Sequence, residues 1–181
     1  MTLRAWIAQP RTRLDVVAGV VDGILNALTL AAGRLLKAGD ADLSLAARVA
    51  AATALTTLFV FFMAHYAELR AELTRAEREL NLTSHGQLAA SRLGSRAIRS
   101  ALAGGCLAAA CGMAGSFASL MLCAYLPGPR GLGILVTIGA LGALGAMLAK
   151  SVRGSPLIWA AGVMFGGGML TALGLWLNIA R

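Results

Sequence analysis

Apolar residues dominate five stretches of the chain, at about 14–34, 45–66, 98–126, 131–149 and 156–178. Several run ~18 residues or more with almost no charge, enough to cross ~30 Å of hydrocarbon at 1.5 Å per residue. The pattern predicts an all-α polytopic membrane protein: one membrane domain over residues 1–181 with five transmembrane helices. Lys37-Ala-Gly-Asp-Ala-Asp42 breaks the first pair, Pro127-Gly-Pro129 separates the third from the fourth, and Lys150 through Pro156 forms a tight turn before the fifth. The first stretch has many others behind it, so it reads as a spanning helix rather than a removable signal peptide. Ala67 to Leu80 contains good helix formers and no Gly or Pro, so helix two extends past the membrane. The cytoplasmic extension and its polar link occupy 67–97.

The chain is 58% hydrophobic and 13% charged, too little charge for a soluble domain to cover its surface, and a lipid bilayer removes that need. The net charge of +8 does not mark a nucleic-acid binder, because the sixteen Lys and Arg residues are spread among the loops. With the N-terminus cytoplasmic, eleven of them lie inside (Arg4, Arg11, Arg13, Arg70, Arg75, Arg78, Arg92, Arg96, Arg99, Lys150 and Arg153) against five outside. The positive-inside rule therefore gives N-in and, for five crossings, C-out, and the expected location is a bacterial plasma membrane. Cys106, Cys111 and Cys123 have neither metal-ligand nor redox spacing and read as small packing residues. The Asn81-Leu-Thr83 sequon falls on the cytoplasmic side and is discounted. Gly19 and Gly23, four apart, and the Gly166-Gly-Gly168 run permit close helix contact, within one chain or in a homodimer.

The chain has eight acidic residues, and Glu68, Glu72, Glu77 and Glu79 cluster at the inner end of helix two, just after His65. At 100° per residue, His65, Glu68, Glu72 and Glu79 stay within ~60° of one another while Glu77 points elsewhere. Imidazole and carboxylates at this spacing suit Fe(II), Mn(II) or Zn(II). The plainer reading is a solvated helix face with interleaved Arg70, Arg75 and Arg78. On helix one, Asp15, Asp22 and Asn26 share a face within ~40°. Asp22 sits roughly 10 Å inside the bilayer, at a cost of at least ~2.5 kcal/mol, with no Lys or Arg in the spanning core to pair with it. A cation or a proton must offset it, unless it is a protonated residue hydrogen-bonded between helices. The antiparallel course of helices one and two brings Asp15 to the level of His65 and Glu68, with Asp22 and Asn26 deeper. Met63 could add a thioether to this line, although a Met in an apolar run is more often packing. No nucleophile elbow, Walker loop or dinucleotide fingerprint is present in a suitable setting.

These residues place the chain beside a family. Arg13-Leu-Asp-Val-Val-Ala-Gly-Val-Val-Asp22-Gly23-Ile24 with Leu30-Ala-Ala-Gly33, the segment from Tyr66 through Arg70, Glu72 and Arg78-Glu-Leu80, and Gly142, Lys150, Arg153-Gly-Ser-Pro156, Gly162, Gly166 and Thr171-Ala-Leu-Gly174 occur in order. In these the chain resembles the vacuolar iron transporter family. The resemblance implies a homodimer with a metal pathway between helices and carriage of Fe(II) or Mn(II), commonly against protons. The chain departs from the family in three places. The usual Met of helix two is absent around Val60-Phe61, His65 stands where Glu is common, and the long Glu- and Met-rich cytoplasmic domain is missing.

Two functions follow as expectations. The first is a carrier that takes Fe(II) or Mn(II) from the cytoplasm at His65, Glu68 and Glu72 and passes it outward through Asp22 and Asn26. The second is a membrane-embedded non-haem iron oxidase, since a His and several carboxylates from two helices also form the ligand sets of such enzymes.

Overall fold

Runs of Ala, Leu, Val and Ile without breakers favour helix, and in lipid each backbone amide must be satisfied inside its own segment. The computed structural model describes residues 10–37, 43–79, 87–125, 132–152 and 154–177. These form α1 (Pro10–Lys37), α2 (Leu43–Glu79), a one-turn α3 (Gln87–Ala90), α4 (Arg92–Tyr125), α5 (Leu132–Val152) and α6 (Pro156–Leu177). The chain is an all-α polytopic membrane protein. By length and composition α2, α4, α5 and α6 can each cross a membrane. Helix α1, 28 residues and so roughly 42 Å long, packs against all four of them and forms the centre of the bundle. The segments around Asp42, Asn81, His85 and Pro127 lie outside the described residues.

As the sequence leads one to expect, helix α2 is unbroken from Leu43 to Glu79, so its spanning part and its polar extension are one rod. One boundary differs. Helix α4 begins at Arg92, six residues before the expected 98. The cause is a cap: Ser91 Oγ accepts the Leu93 amide at 3.1 Å, and the exposed Arg92, Ser95, Arg96 and Arg99 then continue the helix in water, where polar residues do not interrupt it. At the other tight turn the Gly154 amide reaches Ala149 O at 2.9 Å, a six-to-one bond of the kind that ends helices, and Pro156 opens α6.

Close contacts fix the direction of each helix. Gly19 lies against Ala108 O and Gly23 against Gly112 O, and both partners advance by four residues, so α1 and α4 run parallel. There is no room for a Cβ at either glycine. The pair sequence-readable as a contact motif is therefore used within the chain. Gly174 against Thr29 O and Gly167 near Leu25 make α6 parallel to α1, while Gly142 and Gly145 meet Met164 and Ala160 with α5 antiparallel to α6. The apolar side of α1, Ile24 and Leu28, packs on Ile134 and Leu141 of α5, and Ala27 packs on Ala46, Val49 and Leu120. The opposite side of α1 carries Asp15, Asp22 and Asn26, of which Asp15 and Asp22 meet His65 and Thr57 of α2.

Candidate functional site

Asp15 and His65 meet where α1, α2 and α4 converge. His65 Nε2 lies 3.1 Å from Asp15 Oδ1, and the side chains are 14% and 10% exposed. Helix α4 contributes space rather than a ligand: a Cβ on Gly104 would fall 2.6 Å from His65 Nδ1 and 3.3 Å from Asp15 Oδ2. Phe61, one turn back on α2, meets the imidazole edge to face, with centroids 6.1 Å apart. The ring is thus held on three sides, with one nitrogen turned to the carboxylate. A separation of 3.1 Å suits a hydrogen bond, and equally the edge between neighbouring ligands of a cation bound at about 2.1 Å from each, which is roughly 3.0 Å at right angles.

Two turns deeper stands a second polar pair. Thr57 Oγ1 donates to Asp22 Oδ2 at 2.5 Å, linking α2 to α1. Asp15 and Asp22 are seven residues apart on one helix, so the two rungs are separated by roughly 10 Å. Gly112 makes room here as Gly104 does above, its Cβ position lying 3.2 Å from both Thr57 Oγ1 and Gly19 O. One turn further, the antiparallel register sets the half-buried Asn26 at the depth of Thr53. Thr53 is 2% exposed, and its Oγ1 is buried with no hydrogen-bond partner among the described residues.

Magnitudes show what this second rung needs. An interhelical hydrogen bond in a membrane bundle contributes about 0.6 kcal/mol, at most about 1.7. An ionised carboxylate at the helix centre costs at least ~2.5 kcal/mol. The Thr57 hydroxyl alone does not close that gap for a charged carboxylate in lipid.

Glu68, Glu72 and Glu79 are exposed on α2, with Glu72 lining a hollow of 410 Å³ beside Arg96 and Ser100 of α4. Among the described residues no three His, Cys, Asp or Glu side chains are close enough to hold one ion, so His65 is grouped with Asp15 alone. Met63 is 47% exposed. It lies about 160° around α2 from His65 and so faces the outside of the subunit rather than the polar line. Glu77 does point elsewhere, as its helical position requires: it is 7% exposed, and its Oε1 accepts the Leu88 amide at 2.7 Å, tying α2 to the start of α3.

Sequence reasoning missed Gly104, Thr57 and Thr53. For the threonines a signal existed, because stepping seven residues along α1 from Asp15 and eight back along α2 from His65 reaches Asp22 and Thr57. Comparison with known families, curated proteins and solved structures finds no match to the chain.

Proposed function

We propose that the protein is a divalent-metal carrier that moves Fe(II) or Mn(II) out of the cytoplasm through the α1–α2 seam. The observation that carries this reading is the pair of stacked rungs, Asp15–His65 and Asp22–Thr57, inside the bundle and roughly 10 Å apart. A carrier needs stations that hold an ion and release it, and two rungs of few ligands each suit that better than one saturated site. Asp15 and His65 form the entry station. The exposed Glu68, Glu72 and Glu79 draw cations towards it, and Asp22 with Asn26 and the Thr57 and Thr53 hydroxyls continues the path, with proton exchange at Asp22 limiting the charge moved. The resemblance to vacuolar iron transporters in α1 and α2 points the same way. An oxidase would need a ligand-rich resident site, and no such group stands among the described residues.

Topology and assembly belong to the same proposal. The Lys and Arg asymmetry sets the N-terminus inside and the C-terminus outside. A homodimer would use α6, where Gly162, Gly166 and Gly168 have nothing within 4 Å of their Cβ positions. The test is purified protein in liposomes loaded with a metal-sensitive dye, together with metal analysis. Flux of weakly held Fe(II) or Mn(II) supports the carrier; firmly retained iron without flux refutes it in favour of an enzyme.

A further inference from the structure

On the outer side of the α2–α4 pair runs an apolar groove of 570 Å³, lined by Leu55, Leu58, Phe59, Phe62 and, from α4, Leu102. Its lining faces the hydrocarbon, away from the polar rungs. What distinguishes it from ordinary lipid-facing surface is its upper end. Tyr66 stands one turn above Phe62, and the two rings stack, with centroids 6.0 Å apart and planes 6° from parallel. Arg70 follows one turn above Tyr66 on the same stripe, and Arg99 lies one turn above Leu102 on α4.

The register sets the two arginines level with each other. His65 Nδ1 lies beside Gly104 across this interface, and α2 and α4 run antiparallel there. Five residues on from His65 is Arg70, and five back from Gly104 is Arg99. Both are exposed, and neither forms an ion pair among the described residues. Two exposed guanidinium groups, with no ion pair among the described residues, therefore stand level with each other above an apolar groove, with the Tyr66 ring one turn below Arg70. Glu68 and Glu72 are the nearby carboxylates on α2. Glu72 turns to the separate hollow lined by Arg96, and both project about 160° around the helix from Arg70.

We infer that this groove is a binding site for an anionic phospholipid, with the phosphate held by Arg70 and Arg99 and one acyl chain laid along Phe62, Phe59 and Leu55. Guanidinium matches phosphate bidentately, Tyr is at home at the headgroup level, and basic groups between helices on the cytoplasmic side select anionic headgroups. The long Arg side chains leave the stripe towards the helix ends that face water, which keeps their charge out of the hydrocarbon while the groove below stays apolar.

The experiment is native mass spectrometry of the whole protein in detergent, titrated with equal amounts of phosphatidylglycerol and phosphatidylcholine. The parent should retain phosphatidylglycerol preferentially, and Arg70→Gln with Arg99→Gln should lower that preference about tenfold or more, since each basic group near the surface contributes substantially to anionic-lipid affinity. Arg48→Gln with Arg75→Gln removes the same charge away from the groove and should leave the preference intact. Leu102→Trp fills the groove below two unchanged arginines and should also release the lipid. Equal retention of the two lipids by the parent overturns the inference. So does an equal loss in the Arg48 and Arg75 variant, which would reduce the effect to overall charge. Metal flux is not read in this experiment, so its outcome is independent of the carrier proposal.

Discussion

His65 and Asp15 share one edge of 3.1 Å between Nε2 and Oδ1, while Gly104 of a third helix lies against the other ring nitrogen. The glycine therefore shapes the proposed station although it offers no ligand. Gly104→Ala would set a methyl 2.6 Å from His65 Nδ1 and turn the ring out of place. Mn(II) affinity should fall about 10- to 100-fold, as for other losses of ligand positioning. Gly139→Ala, which meets nothing within 4 Å, should leave it unchanged. Isothermal titration of the two variants decides the matter, and equal affinities would mean that the ring's orientation is irrelevant to binding.

The acids should rank by their distance from this edge. Asp15→Ala and His65→Ala remove the entry station and should cost most of the metal affinity. Glu68→Ala and Glu72→Ala should cost less, because those exposed carboxylates act through solvent. Glu77→Gln should cost none, since its carboxylate is engaged with the Leu88 amide. Similar losses at all five positions in a Mn(II) titration would indicate a diffuse acidic surface.

Glu77 has a different consequence. Its removal leaves the part-buried Leu88 amide without this acceptor, at about 1 kcal/mol. Glu77→Ala should speed hydrogen exchange at α3 and the start of α4, while Glu77→Gln keeps an acceptor oxygen and should protect them better. Unchanged exchange in Glu77→Ala would show that the link is held by other contacts.

Helix packing gives a stability test. Gly23 has the Gly112 carbonyl where a Cβ would stand, whereas Gly162 has open space. Gly23→Ala should lower the thermal midpoint in detergent by several degrees, corresponding to roughly 1–3 kcal/mol of overpacking. Gly162→Ala should leave the isolated subunit unaffected. A reversed order would place the close helix contact on the wrong pair.

These cases show how much the sequence carried. Five apolar runs announced the bundle, and the face shared by Asp15, Asp22 and Asn26 announced the side of α1 that meets α2, because periodicity is a property of one helix. The level of Asp15 with His65 followed from antiparallel neighbours. Gly104 was not legible, since a glycine in an apolar run does not reveal which neighbour presses on it. The expected grouping of Glu68 and Glu72 with His65 rested on their shared helical stripe. Along that stripe the surroundings change: His65 is enclosed against Asp15 and Gly104, whereas Glu68 and Glu72 are exposed. The start of α4 was missed because its first turns are polar, and the Ser91 cap that begins them resembles any loop serine.

Asp22 tests the central claim most directly, because it lies on the proposed path, two turns from the Asp15–His65 pair. Asp22→Asn keeps the shape of the side chain and an acceptor for the Thr57 hydroxyl while removing the charge that a cation would meet. In liposomes, parent protein should carry Mn(II) or Fe(II). The variant should fold and load metal at Asp15 and His65 like the parent, yet lose at least tenfold in flux, about 1.4 kcal/mol in the barrier, along with its dependence on a pH gradient. Parent-level flux in Asp22→Asn would contradict the account, for it would make the second rung a packing contact and leave no route through the bundle.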